Sequence, residues 1–297
     1  MSKSVAQGRV EPIANSSCAL GEGPVWIAEE NRLAFVDIIG RRLLFWHAAK
    51  ELEEVSLNQR VGGFVTTTRG LFLAASERGL FVLNPANGDL LNIGHDRLIG
   101  PENLMNDTKC DRQGRLVFGS KALSEAEETG ALMSFDGHRV RAWQPGTVLN
   151  GPAFSPDGAR IYFADSPTRK ILTADYNPET GDIGKPEVFV VLPADAGYPD
   201  GMSVDCEGCL WNAHWDGWRL SRYSPEGVLL EEIPVPVARP TSIAFGGGDL
   251  KTLFITSAKK GRAEDRADEA ELAGDLFSVQ LNIAGLPETP FRGALDA

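Results

Sequence analysis

Apolar residues fall in short bursts along this chain, and the bursts repeat. Six times a strand-like run meets a polar or glycine-containing turn and then a second apolar run. Residues 25–26 lead to 33–37, 63–65 to 71–75, 109–110 to 116–120, 153–154 to 161–165, 203–204 to 210–213 and 243–244 to 253–256. The second runs begin at Leu33, Leu71, Leu116, Ile161, Leu210 and Leu253, at intervals of 38, 45, 45, 49 and 43 residues. The dipeptides Arg69-Gly70, Gln113-Gly114, Asp157-Gly158 and Glu207-Gly208 put glycine where a hairpin turn demands positive φ. Further strand candidates, such as residues 80–83 and 220–223, fill the intervals. A period near 45 with about four strands per unit is the pattern of a β-propeller. The expected fold is therefore all-β, a six-bladed β-propeller. A β-sandwich is the competing architecture, but six regular units exceed what it needs.

Inner strands of a propeller surround a central channel, so residues at one phase of the repeat converge on the axis. Ten or eleven positions before each second run stand Glu22, the Arg60/Val61 region, Asn106, Asn150, Asp200 and Ser242. Four of these carry carboxylate or carboxamide oxygens. Two carboxylates and two amide oxygens suit a hard divalent cation, and the carboxylates balance its charge. Asn and Asp capping blade turns is the alternative reading for each residue taken singly.

Composition narrows the partners. The net charge is −12 with no basic cluster, which disfavours nucleic acid and anionic membranes. No apolar run approaches the length of a membrane span, and residues 1–10 lack a secretory pattern, so a cytoplasmic location is expected. No linker divides the chain, so residues 1–297 are expected to form one domain, as a monomer or small homo-oligomer. Four cysteines do not make a disulfide framework, and Cys206-Glu-Gly-Cys209 reads as two thiols flanking a turn. The acidic stretch 261–274 reads as a solvated loop or short helix. The four histidines and the lack of a Gly-x-Ser-x-Gly elbow leave no Ser-His-Asp hydrolase. His214 reads as a packing or hydrogen-bonding residue.

Gly21-Glu-Gly-Pro-Val-Trp26, Asn106-Asp107, Lys109-Cys-Asp111, Asn150-Gly-Pro-Ala-Phe-Ser-Pro-Asp-Gly158, Tyr198-Pro-Asp-Gly-Met202 and Phe245-Gly-Gly-Gly-Asp-Leu250 resemble the regucalcin/gluconolactonase/luciferin-regenerating-enzyme family over residues 15–285. Residues 210–218 are most similar to its bacterial aldonolactonase branch. The resemblance implies a six-bladed propeller with one divalent ion (Ca, Zn, Mg or Mn) held by Glu22, Asn150 and Asp200. It further implies substrate contact by Asn106, Asp200 as general base, and hydrolysis of a small lactone. Three positions depart from patterns in the family: Leu104 stands where many members have Arg, Thr108 where others have Gly after the Asn-Asp pair, and Ser124 where they have Glu, with Glu125, Glu127 and Glu128 following. If Leu104 faces the pocket, the enzyme should depend less on distal sugar hydroxyls, unless Arg97 or Arg219 reaches in. Two other functions compete: a metal-binding propeller without hydrolytic role, and hydrolysis of another electrophile such as a phosphotriester.

Overall fold

The computed structural model describes residues 4–49, 51–95, 98–259 and 271–295. Six four-stranded antiparallel sheets account for the strands among these residues. Their inner strands are Gly21–Ile27, Val61–Thr66, Asn103–Cys110, Leu149–Phe154, Tyr198–Val204 and Pro240–Gly246. Each inner strand touches the next, and the sixth touches the first. The fold is a six-bladed β-propeller, as the repeat predicts. The six second runs form the second strands of six consecutive blades.

The ring is sealed by the N-terminal segment. Strand Glu11–Ala14 pairs with Leu276–Gln280 and so becomes the outer strand of the sixth blade. Both ends of the chain thus contribute to one sheet. The core is six apolar layers, one between each pair of neighbouring blades. Phe45, Phe64 and Phe72 fill the layer between the first and second blades, for example. Trp26, Phe35 and Phe254 fill the one between the sixth and the first. Both faces of an inner strand therefore need apolar residues, and these strands are buried almost throughout.

The predicted turns form as expected. Gly70, Gly114, Gly158 and Gly208 have φ of 75°, 88°, 72° and 81°. Cys206 and Cys209 flank the last of these turns as free thiols. After the sixth blade the chain crosses the turn side of the ring. Cys206 N–H donates to Ala284 O at 2.9 Å, Lys109 pairs with Glu288 at 2.7 Å, and Phe291 stacks on Phe135 with ring centroids 5.6 Å apart. This tail covers one end of the central channel, where Glu288 and Thr289 line a small cavity with Asp107, Lys109 and Ser242. Residues 261–270 of the acidic stretch lie outside the described residues.

Every inner strand carries a bulge, and all six bulges sit at the same height. In each case the inner strand spends one more residue than its partner: between Glu22 and Val25, Val61 and Gly63, Met105 and Thr108, Asn150 and Ala153, Pro199 and Met202, and Pro240 and Ile243. Glycine lets the bulged backbones meet at the axis. A Cβ on Gly62 would stand 1.9 Å from Met105 O, and one on Gly201 would stand 2.5 Å from Ser242 Cβ. Gly62→Ala is therefore expected to cost about 3 kcal/mol or more by overpacking backbone that cannot yield. Gly70→Ala, which meets only open space at positive φ, should cost about 1 kcal/mol. Denaturant unfolding of both variants tests this, and equal losses would mean that the inner strands have room to separate.

Candidate metal and substrate site

The bulges turn one side chain per strand toward the axis. Four of the six in-phase residues, Glu22, Asn106, Asn150 and Asp200, line one cavity of about 260 Å³ at the open end of the channel. All four are at least 94% buried. Ser242 lines the small cavity at the covered end instead, and Val61 belongs to the core.

Neighbouring blades fix the orientation of the amides. Asn106 Nδ2 donates to Leu149 O at 3.2 Å and to Asn150 Oδ1. Asn150 Nδ2 donates to Ser166 Oγ at 2.9 Å, and the Ser166 hydroxyl donates to Pro199 O at 2.6 Å. Asn150 is thus gripped by its NH₂ group. Its oxygen faces Asn106 and the cavity. Asp107, one residue beyond Asn106, accepts from Gly151 N–H at 2.6 Å through Oδ2 and ties the third bulge to the fourth.

The carboxylates are held under electrostatic stress. Burial pushes the Glu22 carboxyl well above the usual range, and the charges of Asp107 and Asp200 add to it. Burial and then Asp107 do the same to Asp200. Asp107 is pushed up to about 6, chiefly by burial. Lys121 acts against all three rises. Asp200 Oδ1 is fully enclosed yet has no hydrogen-bond partner among the described residues, and the same is true of Asp107 Oδ1. Glu22 Oε2 accepts one bond, from Gly23 N–H at 3.1 Å. Orphaned carboxylate oxygen, an oriented amide oxygen and crowded negative charge make a donor set that fits a hard divalent cation. Among the described residues no three His, Cys, Asp or Glu side chains form a metal-binding group by themselves. The fit here depends on Asn150 completing the two carboxylates.

The rest of the cavity wall divides by chemistry. Leu20, Val148, Pro167, Pro199, Tyr198 and Trp215 give it an apolar side. Tyr198 and Trp215 are cross-strand partners, and each carries a guanidinium over its ring, Arg169 at 4.1 Å and Arg239 at 5.0 Å. Lys121 and Glu125 add a polar corner, with Lys121 bridged to Val148.

Several side chains lie elsewhere than the sequence alone suggests. Leu104 does not face the cavity; it is buried with Leu20, Val61 and Phe64 in an apolar layer. Arg219 bonds Glu232 and Gly217 O and does not line the cavity, while Arg97 lies outside the described residues. His214 is a packing residue: its Nδ1 lies 2.7 Å from Ala196 O, and burial lowers its pKa to about 4. Sequence reasoning missed Lys121, Ser166 and Tyr198. Only Tyr198 had a signal, as a neighbour of Asp200 in a recognised motif.

Known proteins resemble this chain over nearly its whole length. A 6-deoxy-6-sulfogluconolactonase of Pseudomonas putida is 32% identical, over 95% of this chain and 98% of its own. An L-arabinolactonase of Azospirillum brasilense is 33% identical, over 96% of each. The solved structure of a calcium-binding regucalcin from Agrobacterium tumefaciens superposes with a TM-score of 0.89 at 27% identity, covering 97% of this chain and 98% of that one. Residues 20–259 match the model of the SMP-30/gluconolactonase/LRE-like region, and the chain belongs to that family.

Proposed function

We propose that this protein is a divalent-cation-dependent lactonase acting on a small sugar lactone. The observation that carries the reading is the convergence of Glu22, Asp200, Asn150 and Asn106 on one enclosed cavity, where Asp200 Oδ1 has no hydrogen-bond partner among the described residues. Lactonase relatives spanning nearly the whole chain support it. The aromatic and proline wall supports an enzyme over a cation buffer, because a buffer needs no substrate surface.

Glu22, Asn150 and Asp200 would hold the cation. When bound, it polarises the lactone carbonyl and stabilises negative charge on that oxygen. Asn106 contacts the substrate from the same floor. Asp200 would also take the proton of the attacking water through its carboxylate. The apolar wall excludes bulk water and seats the C–H face of the ring.

The ligand assignment is tested by calorimetry with Ca²⁺, Zn²⁺, Mg²⁺ and Mn²⁺. Glu22→Gln and Asp200→Asn should each weaken the preferred cation by more than the ~10–100-fold expected for an outer-shell change. Ser166→Ala, which releases the grip on Asn150, should fall within that outer-shell range. Unchanged affinity in both carboxylate variants would refute the ligand set. A panel of aldonolactones, with a phosphotriester as the rival electrophile, then tests the reaction through acid release before and after chelation.

The raised carboxyl pKa values also fix a pH dependence. Folding raises them, so between the ordinary and the raised values the folded chain holds more protons than the unfolded one. The stability of the cation-free protein must then fall as pH rises through that window. Cation binding displaces those protons, so it should stabilise the fold more at pH 8 than at pH 5. Thermal unfolding with and without the preferred cation at both pH values checks this; an equal or smaller gain at pH 8 contradicts it.

A further inference from the structure

Asp200 has to be aimed, and its backbone supplies the means. Asn150 is held by its own NH₂ group, whereas Asp200 Oδ1 has no hydrogen-bond partner among the described residues. The direction of the Asp200 side chain then follows from the two peptide planes that meet at its Cα. Buried side chains grip both planes. Pro199 O accepts from the Ser166 hydroxyl at 2.6 Å, and Asp200 O accepts from Asn212 Nδ2 at 2.9 Å. The second plane also has no room to move toward the sixth blade, since a Cβ on Gly201 would stand 2.5 Å from Ser242 Cβ.

Asn212 is out of place by the standard of the repeat. It lies in strand Leu210–Trp215, the second strand of the fifth blade, and is fully buried. Two residues beyond the start of the second run, the other five blades carry Phe35, Leu73, Phe118, Phe163 and Ile255. All five are buried and apolar. Side chains alternate along a strand, so Asn212 shares with Leu210 the face turned toward the fourth blade, where the layer is otherwise largely apolar. A carboxamide is costly there, because its Oδ1 is enclosed without a hydrogen-bond partner among the described residues. Carbonyl oxygens only accept, so the NH₂ end must be the one that meets Asp200 O. Packing alone would be served by a leucine or a phenylalanine, as elsewhere in the ring. What asparagine adds is a donor at the bulge that carries Asp200.

We propose that Asn212 is a positioning residue: it fixes the peptide plane that follows Asp200 and so aims the carboxylate into the cavity. The proposal rests on the lactonase reading above for what Asp200 does there. Asn212 does not line the cavity, so it acts through Asp200 and not on the substrate.

The test uses the full chain with Asn212→Leu, Asn212→Ala and, as a control, Ser221→Ala. Leucine keeps the γ-branch of asparagine and matches the apolar residues of the other blades. Alanine removes the grip without adding volume, should leucine overfill the layer. Ser221 is buried and directly opposite Asn212 in the ladder, so Ser221→Ala disturbs the same layer and leaves the grip intact. Affinity is measured by calorimetry with whichever of Ca²⁺, Zn²⁺, Mg²⁺ and Mn²⁺ wild type binds most tightly. Both Asn212 variants should weaken that affinity, and lower kcat for an aldonolactone, by about 10–100-fold, with KM little changed. Ser221→Ala should do neither. Losing the carboxamide removes one unpaired atom, Asn212 Oδ1, and creates another, Asp200 O. The Tm of cation-free Asn212→Leu should therefore move by less than about 4 °C.

Unchanged cation affinity in the folded Asn212 variants, an equal loss in Ser221→Ala, or losses that track a large fall in Tm would make Asn212 a packing residue and overturn the proposal. If wild type binds the cation but opens no lactone, the functional reading fails, and the calorimetry alone decides for or against the grip. If wild type binds none of the four cations, the proposal falls with the ligand set.

Discussion

One extra residue in each inner strand is the constraint on which this molecule turns. Side chains of a regular strand alternate between two faces, and here both faces are consumed by the apolar layers between blades. What a regular inner strand would present to the axis is its hydrogen-bonding edge. The bulge breaks that alternation at one height and re-aims a side chain into the channel. Because the six bulges are in register around the ring, Glu22, Asn106, Asn150 and Asp200 arrive at one cavity from separate parts of the chain. The glycines beside them, Gly23 and Gly151 at positive φ and Gly62 and Gly201 in close contact, let the backbones approach far enough for those side chains to converge.

The convergence carries an electrostatic cost that the scaffold sustains. Glu22, Asp107 and Asp200 are buried together, and burial with mutual repulsion disfavours their charged forms. Such an arrangement persists only where the surrounding structure holds it in place. Six apolar layers and the N-terminal sealing strand provide that support here, while the Asp107–Gly151 and Asn106–Asn150 bonds lock adjacent bulges to each other. The same crowding of negative charge is what makes these residues a candidate cation site.

Much of this was legible in the sequence, for a physical reason. The distance from bulge to hairpin turn is set by strand length, which the blade thickness fixes. A constant offset of ten or eleven residues therefore finds the bulge in every repeat, and it found Glu22, Asn106, Asn150 and Asp200. The glycine turns were equally readable, because positive φ restricts the residue type. Ser166 and Lys121 were not, and Glu125 was marked only as one of three glutamates following Ser124, without its place on the cavity. Ser166 opens the short 3-10 turn Ser166–Thr168, and Glu125 follows strand Leu116–Ala122 in a connecting segment. Such segments differ in length from blade to blade and have no period to betray them. The tail that covers the channel was likewise beyond the reach of the repeat, because it belongs to no blade.

Position 104 shows where column-by-column reading of a propeller goes astray. In sequence, a leucine in place of an arginine looks like the loss of a polar contact. In the ladder, residue 104 has a partner, Lys121, on the same face of the sheet. A charge presented to the cavity belongs to that face and can be supplied from either strand. Side chains on the bulges cannot be exchanged in this way, since a neighbouring strand carries no bulge at that height. The candidate cation ligands are therefore tied to particular positions, whereas the rest of the cavity wall is tied only to a face and has to be read across the ladder.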